Sequence, residues 1–517
     1  MKQLGGALQG NSPRPFASHV VATVAGAALS LAFAPFDLWL LAVLSPALLF
    51  VLWADATPRR AATLGFAFGA GMFAAGTYWL YVSIHGFGKA PLWLAIGLMG
   101  ALVALMACYS TLLGYLAARF FPRRGWLRLL VGLPAGWVLL EWIRGWFLSG
   151  FGWLSLGYSQ TDSWLAGWAP IGGVYLISLL VAIMSGALAM WWLEGRRVAK
   201  IAICALLVPW LVGALLERVE WTRAAGDPVG IAIVQGAIPQ DEKWLLENRE
   251  NSLRRYRDLT LSALGTPLIV WPEAAAPELA NNLVPYLSEL SRAAQSKGSS
   301  LLLGLIRAER REPAAKDAVR GEPQVEYFNS ILALGEDIAW YDKHHLVPFG
   351  EFFPVPQYVR QWLRLMSLPY SDFTRGARSQ PPLRIAGLAL SASICYEDAY
   401  ASSQLSAARE STALVNVTND AWFGDSTARH QHLQISRMRA IEARRYLIRA
   451  ANDGVSAVIG PQGEFVARAA DFKTVVLRAK VTPRSGSSPY LSLGNWLVLV
   501  LATIGLAAAI VARKRTT

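Results

Sequence analysis

Apolar and polar positions divide this chain into two kinds of text. Eight long runs are almost free of charge: Phe16–Ala34, Leu38–Ala54, Ala61–Ile84, Pro91–Ala118, Trp126–Trp146, Trp164–Leu193, Val198–Leu215 and Tyr490–Val511. A helix needs ~20 apolar residues to cross a hydrocarbon core of about 30 Å, and most of these runs supply them. Val198–Leu215 is the weakest, being short and interrupted by Pro209. The pattern predicts a polytopic α-helical membrane domain of about eight spans, seven before a polar block and one after it.

Inside the polar block the period shortens. Apolar runs of strand length recur at Gly230–Gln235, Leu268–Trp271, Ser300–Ile306, Ser330–Leu334, Leu388–Ile394, Ala413–Val417, Tyr446–Ala450, Val455–Ile459 and Glu464–Ala469,. Helical patterns fall between some of them, at Glu242–Leu264, Leu283–Ser296 and Gln431–Arg444. This order predicts a sheet-rich α/β domain of about 250 residues with its own core. The expected division is 1–216 for seven spans, 217–485 for the polar domain, and 486–517 for the last span and tail. Arg307–Gln324, charged and carrying Pro313 and Pro323, reads as a loop. Pro348–Pro382 reads as an active-site lid or as an arm touching the membrane. Ser149–Trp164 is aromatic and glycine-rich, either an interfacial belt or the lining of a lipid entry route,. Glu141 and Arg144, three residues apart, can pair on one helix face.

Composition and charge sharpen the topology. The chain is 54% hydrophobic, with a mean hydropathy of +0.35. Its net charge of +13 would suit a nucleic-acid partner, but the polar block 217–484 holds 32 Lys and Arg against 30 Asp and Glu. The excess lies between the apolar runs and sorts by side. Lys2, Arg14, Arg59, Arg60, Arg119, Arg123, Arg124, Arg128, Arg196, Arg197, Lys200, Arg513, Lys514 and Arg515 fall together, with Lys89 and Arg144 opposite. Cytoplasmic loops carry such an excess, so both termini are expected in the cytoplasm and the polar domain outside it. In a Gram-negative bacterium this describes a multi-pass inner-membrane protein with a periplasmic domain. No nucleic-acid partner is expected.

Of the three cysteines, Cys108 and Cys204 lie in apolar runs and Cys395 alone in the polar block. Cys395 follows the run ending at Ile394 and precedes Tyr396-Glu397-Asp398. A cysteine so placed is a nucleophile or a buried structural residue. Two further segments bear on the choice: Val270-Trp271-Pro272-Glu273 and Tyr341-Asp342-Lys343, continuing through His344 to Glu351. Glu273, Lys343 and Cys395 each stand at or just past a strand end, where side chains converge on one sheet edge. A thiol needs activation, a carboxylate within reach can take its proton, and a lysine can hold an oxyanion. Neither a metal pattern nor a cofactor motif is present.

Glu, Lys and Cys in this order, with these local motifs, resemble the nitrilase superfamily. A nitrilase-like domain between a seventh and an eighth span resembles, over essentially the whole chain, the apolipoprotein N-acyltransferase family of bacterial lipoprotein maturation. Val234–Gln240 with Lys243-Trp244, Tyr327–Ser330 and Asn416–Gly424 also match. The resemblance implies an αββα sandwich for the extracytoplasmic domain. It further implies Cys395 as nucleophile, Glu273 as general base and Lys343 as oxyanion partner. Glu351 would be a supporting carboxylate, with Tyr396 and Glu397 flanking the thiol. Trp244, Asn329, Trp422 and Phe423 would shape the acyl and lipid pocket. The implied reaction moves an acyl chain from a phospholipid, phosphatidylethanolamine foremost, through a Cys395 thioester to the α-amine of an S-diacylglyceryl cysteine on an apolipoprotein. The alternatives are a membrane-tethered amidase or nitrilase and a transporter with a binding ectodomain.

Overall fold

The computed structural model of the chain describes residues 15–311, 324–352 and 373–514. Lys2, Arg14, Arg515, most of Arg307–Gln324 and most of Pro348–Pro382 lie outside them. The chain forms two compact units: Met1–Val219 with Asp425–Gln434 and Leu493–Thr517, and Glu220–Gly424 with Ile435–Ser492.

In the first unit all eight apolar runs are helical. The helices are Pro15–Leu29, Leu41–Trp53, Pro58–Gly76, Leu92–Phe120, Leu133–Arg144, Ala169–Glu194, Ala199–Glu217 and Trp496–Lys514. Among the described residues, three helical stretches are long and apolar enough to cross a membrane: Leu92–Phe120, Trp164–Glu217 and Trp496–Lys514. Without a hydrophobic drive between helices, small residues that admit close backbone approach hold such bundles together. Gly26 and Gly71 do this reciprocally. A Cβ on Gly26 would lie 1.9 Å from the Phe68 carbonyl oxygen, and one on Gly71 2.1 Å from that of Thr23.

Glu141 and Arg144 both reach into the loop that follows their helix. Glu141 Oε1 accepts from the Trp137 indole and the Leu156 backbone N–H, both at 2.9 Å. Arg144 donates to the Trp153 carbonyl at 2.5 Å and the Ser155 hydroxyl at 3.2 Å. Gly152–Thr161 is consequently buried, so most of this segment is interior rather than an interfacial belt. Asp425–Gln434 belongs to the same unit: the Trp153 indole donates to Gln431 Oε1 at 2.7 Å, and Gln434 bonds Ala34 and Asp37.

Among the described residues the second unit holds fourteen strands: β1 (Thr222–Ala224), β2 (Val229–Gln235), β3 (Leu268–Val270), β4 (Ser300–Arg311), β5 (Gln324–Leu334), β6 (Ile338–Asp342), β7 (Leu383–Ile385), β8 (Leu388–Ile394), β9 (Ala413–Thr418), β10 (Leu447–Ala451), β11 (Ala457–Ile459), β12 (Phe465–Arg468), β13 (Val475–Val481) and β14 (Arg484–Gly486). One six-stranded sheet runs β13-β2-β3-β4-β5-β6 and the other β12-β11-β10-β9-β8-β7. β1 and β14 pair antiparallel, Arg223 opposite Ser485.

The sheets share an apolar core. Ile231, Ile233, Val270, Leu302 and Ile331 of the first meet Leu390, Ile394, Val415, Val417 and Ile448 of the second. Each such side chain contributes roughly 1.5–3 kcal/mol on burial. The other face of the first sheet, with Ala232, Val234, Ile269 and Leu303, packs on helices Arg249–Ser262 and Val284–Gln295. β8, β9 and β10 are buried at every residue, so both of their faces are covered. Residues 435–443 of helix Ala428–Ala443 contribute Ser436 to that cover.

Several elements differ from the sequence expectation. The pattern Glu242–Leu264 is not one helix: Leu245 is extended (ψ 129°) and the helix proper is Arg249–Ser262. Arg307–Arg311 continues β4 rather than starting a loop. β6 and β13 are edge strands, half exposed and carrying Asp342, Arg478 and Lys480, so they lack the apolar run that marks a central strand,.

Candidate active site

Three strand ends deliver the site. Glu273 follows β3 by three residues, Lys343 directly follows β6, and Cys395 directly follows β8. The Trp271-Pro272 step that carries Glu273 is fixed from both sides. The Trp271 indole donates to Thr260 Oγ1 at 2.9 Å and its ring lies 4.9 Å from that of Tyr256. On the other side, β4 passes so closely that a Cβ on Gly304 would lie 2.2 Å from the Pro272 carbonyl oxygen.

The carboxylates and the lysine form one network. Lys343 Nζ lies 2.8 Å from Glu351 Oε1 and 3.2 Å from Glu273 Oε1. Asn329 Nδ2 donates to the same two oxygens, at 2.9 and 2.7 Å. Glu273 Oε2 accepts the Asn419 backbone N–H at 2.9 Å, and Glu351 Oε2 that of Val347 at 2.8 Å. Lys343 and Glu273 are buried. Burial works against the Lys343 charge, but Glu273, Glu351 and Cys395 outweigh it and hold the ammonium well above its ordinary range.

Cys395 is half-buried and adopts φ 53°, a left-handed conformation that costs an L-residue roughly 1–2 kcal/mol,. Burial and the Glu273 charge push its thiol up, Lys343 opposes them, and Asp420 adds a smaller upward push. A carboxylate and a cation thus act on the Cys395 sulfur with opposite sign. None of the three cysteines is in a disulfide.

Glu397 fastens the Cys395 turn to the Lys343 strand end. Its Oε2 accepts the Ile394 N–H and the Tyr341 hydroxyl at 2.9 Å each, and its Oε1 the His344 and His345 N–H groups at 2.8 and 3.0 Å. Tyr396 is half-buried, its ring 5.1 Å from and edge-on to that of Tyr400.

The expected pocket residues separate. Asn329 is buried and donates to both carboxylates. Trp244 and Trp422 are 37% and 43% exposed, and Phe423 is half-buried. Sequence reasoning missed Thr418, Asn419 and Asp420, although they stand in a matching segment. It also missed Lys243 as a buried ammonium, which burial lowers to about 8 against the pull of Glu273 and Asp453.

A family model described as carbon-nitrogen hydrolase matches residues 230–488, and one described as apolipoprotein N-acyltransferase N-terminal domain matches residues 25–187. A Methylococcus capsulatus apolipoprotein N-acyltransferase is 40% identical over 501 residues, covering 96% of each chain. The chain belongs to the apolipoprotein N-acyltransferase family. Family members of the same name from Azotobacter vinelandii (41% over 500 residues, 96% of this chain and 95% of that one) and Vibrio parahaemolyticus (39% over 494 residues, 93% and 94%) match over similar lengths. The carbon-nitrogen hydrolase match spans both six-stranded sheets and all three strand ends that carry Glu273, Lys343 and Cys395.

Proposed function

We propose that this enzyme moves an acyl chain from a membrane phospholipid to the N-terminal amine of a diacylated apolipoprotein, through a thioester on Cys395. The observation that carries the reading is the ammonium of Lys343, held between Glu273 and Glu351 in the same electrostatic neighbourhood as the Cys395 thiol.

The Glu273 carboxylate takes the thiol proton as sulfur attacks the ester carbonyl carbon. The Lys343 ammonium and the Tyr396 backbone N–H stabilise the tetrahedral oxyanion. Collapse breaks the carbon–oxygen ester bond, and Glu273 returns the proton to the departing lysophospholipid alkoxide. In the second half, the α-amine of the S-diacylglyceryl cysteine attacks the thioester, loses a proton to Glu273, and forms the amide as the Cys395 thiol is restored. Splitting the transfer in two replaces one difficult displacement by two easier ones. Glu351 and Asn329 hold Lys343 and Glu273 in register for both halves.

The topology belongs to the same proposal. The eight apolar helices are read as eight inner-membrane spans, with 1–216, 217–485 and 486–517 as the functional divisions. Both termini then lie in the cytoplasm and the carbon-nitrogen hydrolase domain in the periplasm, where phosphatidylethanolamine and apolipoprotein meet. Exposed Trp244 and Trp422 face the lipid chains in this reading.

Mass spectrometry of the purified protein after incubation with phosphatidylethanolamine alone tests the scheme. An acyl mass on the Cys395 peptide, removable by hydroxylamine, is expected. Acyl transfer that survives in Cys395→Ala would overturn it.

A further inference from the structure

The face of the second sheet turned away from the common core carries a polar row. β8, β9 and β10 are parallel neighbours, and their register sets Ser393 beside Asn416 and Asn416 beside Arg449. All three side chains are buried, Arg449 at 0% exposure. A fully buried guanidinium is costly unless it is paired and hydrogen-bonded, so what it holds indicates why it is there.

It holds the nucleophile's turn at both ends. Arg449 Nη1 donates to Asn416 Oδ1 at 2.9 Å, and Asn416 Nδ2 in turn donates to the Cys395 carbonyl at 3.2 Å and Ser393 Oγ at 3.0 Å. The same Nη1 lies 3.6 Å from Asp398 Oδ2, three residues beyond Cys395 in the turn Cys395–Ala399. It also donates to Ser436 Oγ at 2.7 Å, and the Ser436 hydroxyl donates to Asp398. Nη2 pairs with Asp420 Oδ2 at 2.8 Å, while Thr418 donates to the other Asp420 oxygen at 3.1 Å.

Two features of the Cys395 environment call for such a hub. The left-handed backbone at Cys395 persists only where its surroundings over-determine it,. Asp420 is moreover a negative charge close enough to oppose thiolate formation. The charged and polar groups that bear on the thiol are Glu273 past β3, Lys343 past β6, and Thr418 and Asp420 at the end of β9. Glu397, Asp398 and Arg449 stand one step behind them.

We propose that Arg449 is a positioning residue for Cys395: through Asn416 and Asp398 it holds the nucleophile's turn in its left-handed form, and through Asp420 it neutralises a carboxylate that would otherwise oppose the thiolate. The inference rests on Cys395 being the acylated residue.

The test is single-turnover acylation of Cys395 in the full-length protein. It uses mixed micelles of phosphatidylethanolamine and detergent, with acyl mass followed against time across a pH series. Asn416→Ala breaks the link to the Cys395 carbonyl and leaves every charge in place. Its acylation rate should fall by about tenfold or more, with the pH profile unmoved. Arg449→Gln should lose rate and also need higher pH, because an uncompensated Asp420 disfavours the thiolate. Adding Asp420→Asn to Arg449→Gln should return the profile toward wild type while the rate stays low. If Arg449→Gln does not fold, Asn416→Ala and the double variant decide. Acylation within about twofold of wild type in both would overturn the inference alone, since a 1 Å misplacement commonly costs far more. A wild-type protein that carries no acyl group on Cys395 would overturn the nucleophile assignment as well.

Discussion

Lys343 Nζ lies 2.8 Å from Glu351 Oε1, closer than its 3.2 Å to Glu273. The shorter ion pair belongs to the carboxylate that takes no proton in the scheme. In the proposed scheme Glu351 is the anchor that keeps Lys343 from collapsing onto the base. In Glu351→Gln, Lys343 should close on Glu273 and spoil its proton transfer. Acylation of Cys395 should fall roughly tenfold to hundredfold, the range expected for sub-ångström misplacement. Rapid-quench measurement of thioester formation decides, and an unchanged rate in a folded variant would sink the anchor role.

Glu397 accepts four donors and offers none. Burial pushes its carboxyl up, while the N–H groups of His345, Ile394 and His344 and the charge of Lys343 hold it down. Glu397→Gln turns an amide toward groups that already donate. A loss of about 2–4 kcal/mol is expected, since buried donors left facing a donor bear their full desolvation cost. Thermal unfolding of the detergent-solubilised protein reads this directly, and Cys395 acylation should vanish with it. Stability equal to wild type would contradict the clamp.

Lys243 gives a pH signature. Its folded value of about 8 lies below the ordinary 10.5, so between those values the unfolded chain binds more protons than the folded one. Stability from this group is therefore complete above the unfolded value and is lost as pH falls through about 8,. Lys243→Met should remove that dependence and gain on the order of 3 kcal/mol near neutrality. The quantity to follow is the wild-type minus variant stability difference from neutral pH upward. A flat difference would show that Lys243 is not a buried cation in solution.

Arg144 and Glu141 differ in what substitution removes. Glu141→Gln keeps an oxygen for the Trp137 and Leu156 donors, whereas Arg144→Met removes both bonds to the Trp153–Ser155 loop. Arg144→Met is expected to cost about 1–3 kcal/mol and Glu141→Gln less than half of that. Limited proteolysis of the 149–164 loop provides the comparison; equal protection in both variants would argue against the loop-fastening role.

The sequence was most legible where one residue type does one job. Eight runs almost free of charge were read as helices, and all eight are helical. The places of Glu273, Lys343 and Cys395 just past strand ends were legible because an apolar run or local motif marks each. The bonds of Asn329 to two carboxylates were not legible, because its segment says nothing of what lies across the sheet. Arg449 was invisible for the same reason: its meaning comes from its register opposite Asn416. The break at Leu245 and the edge strands β6 and β13 were missed because a polar face at an edge looks like a loop.

β1 and β14 bring residues 222–224 and 484–486 side by side. A block of more than 250 residues thus begins and ends at a single point, as a gene cassette does. Nearness of chain ends is what makes domain insertion and circular permutation tolerable. New ends opened at a surface turn, with Ala224 and Arg484 joined by a short linker, should leave both sheets threaded as they are.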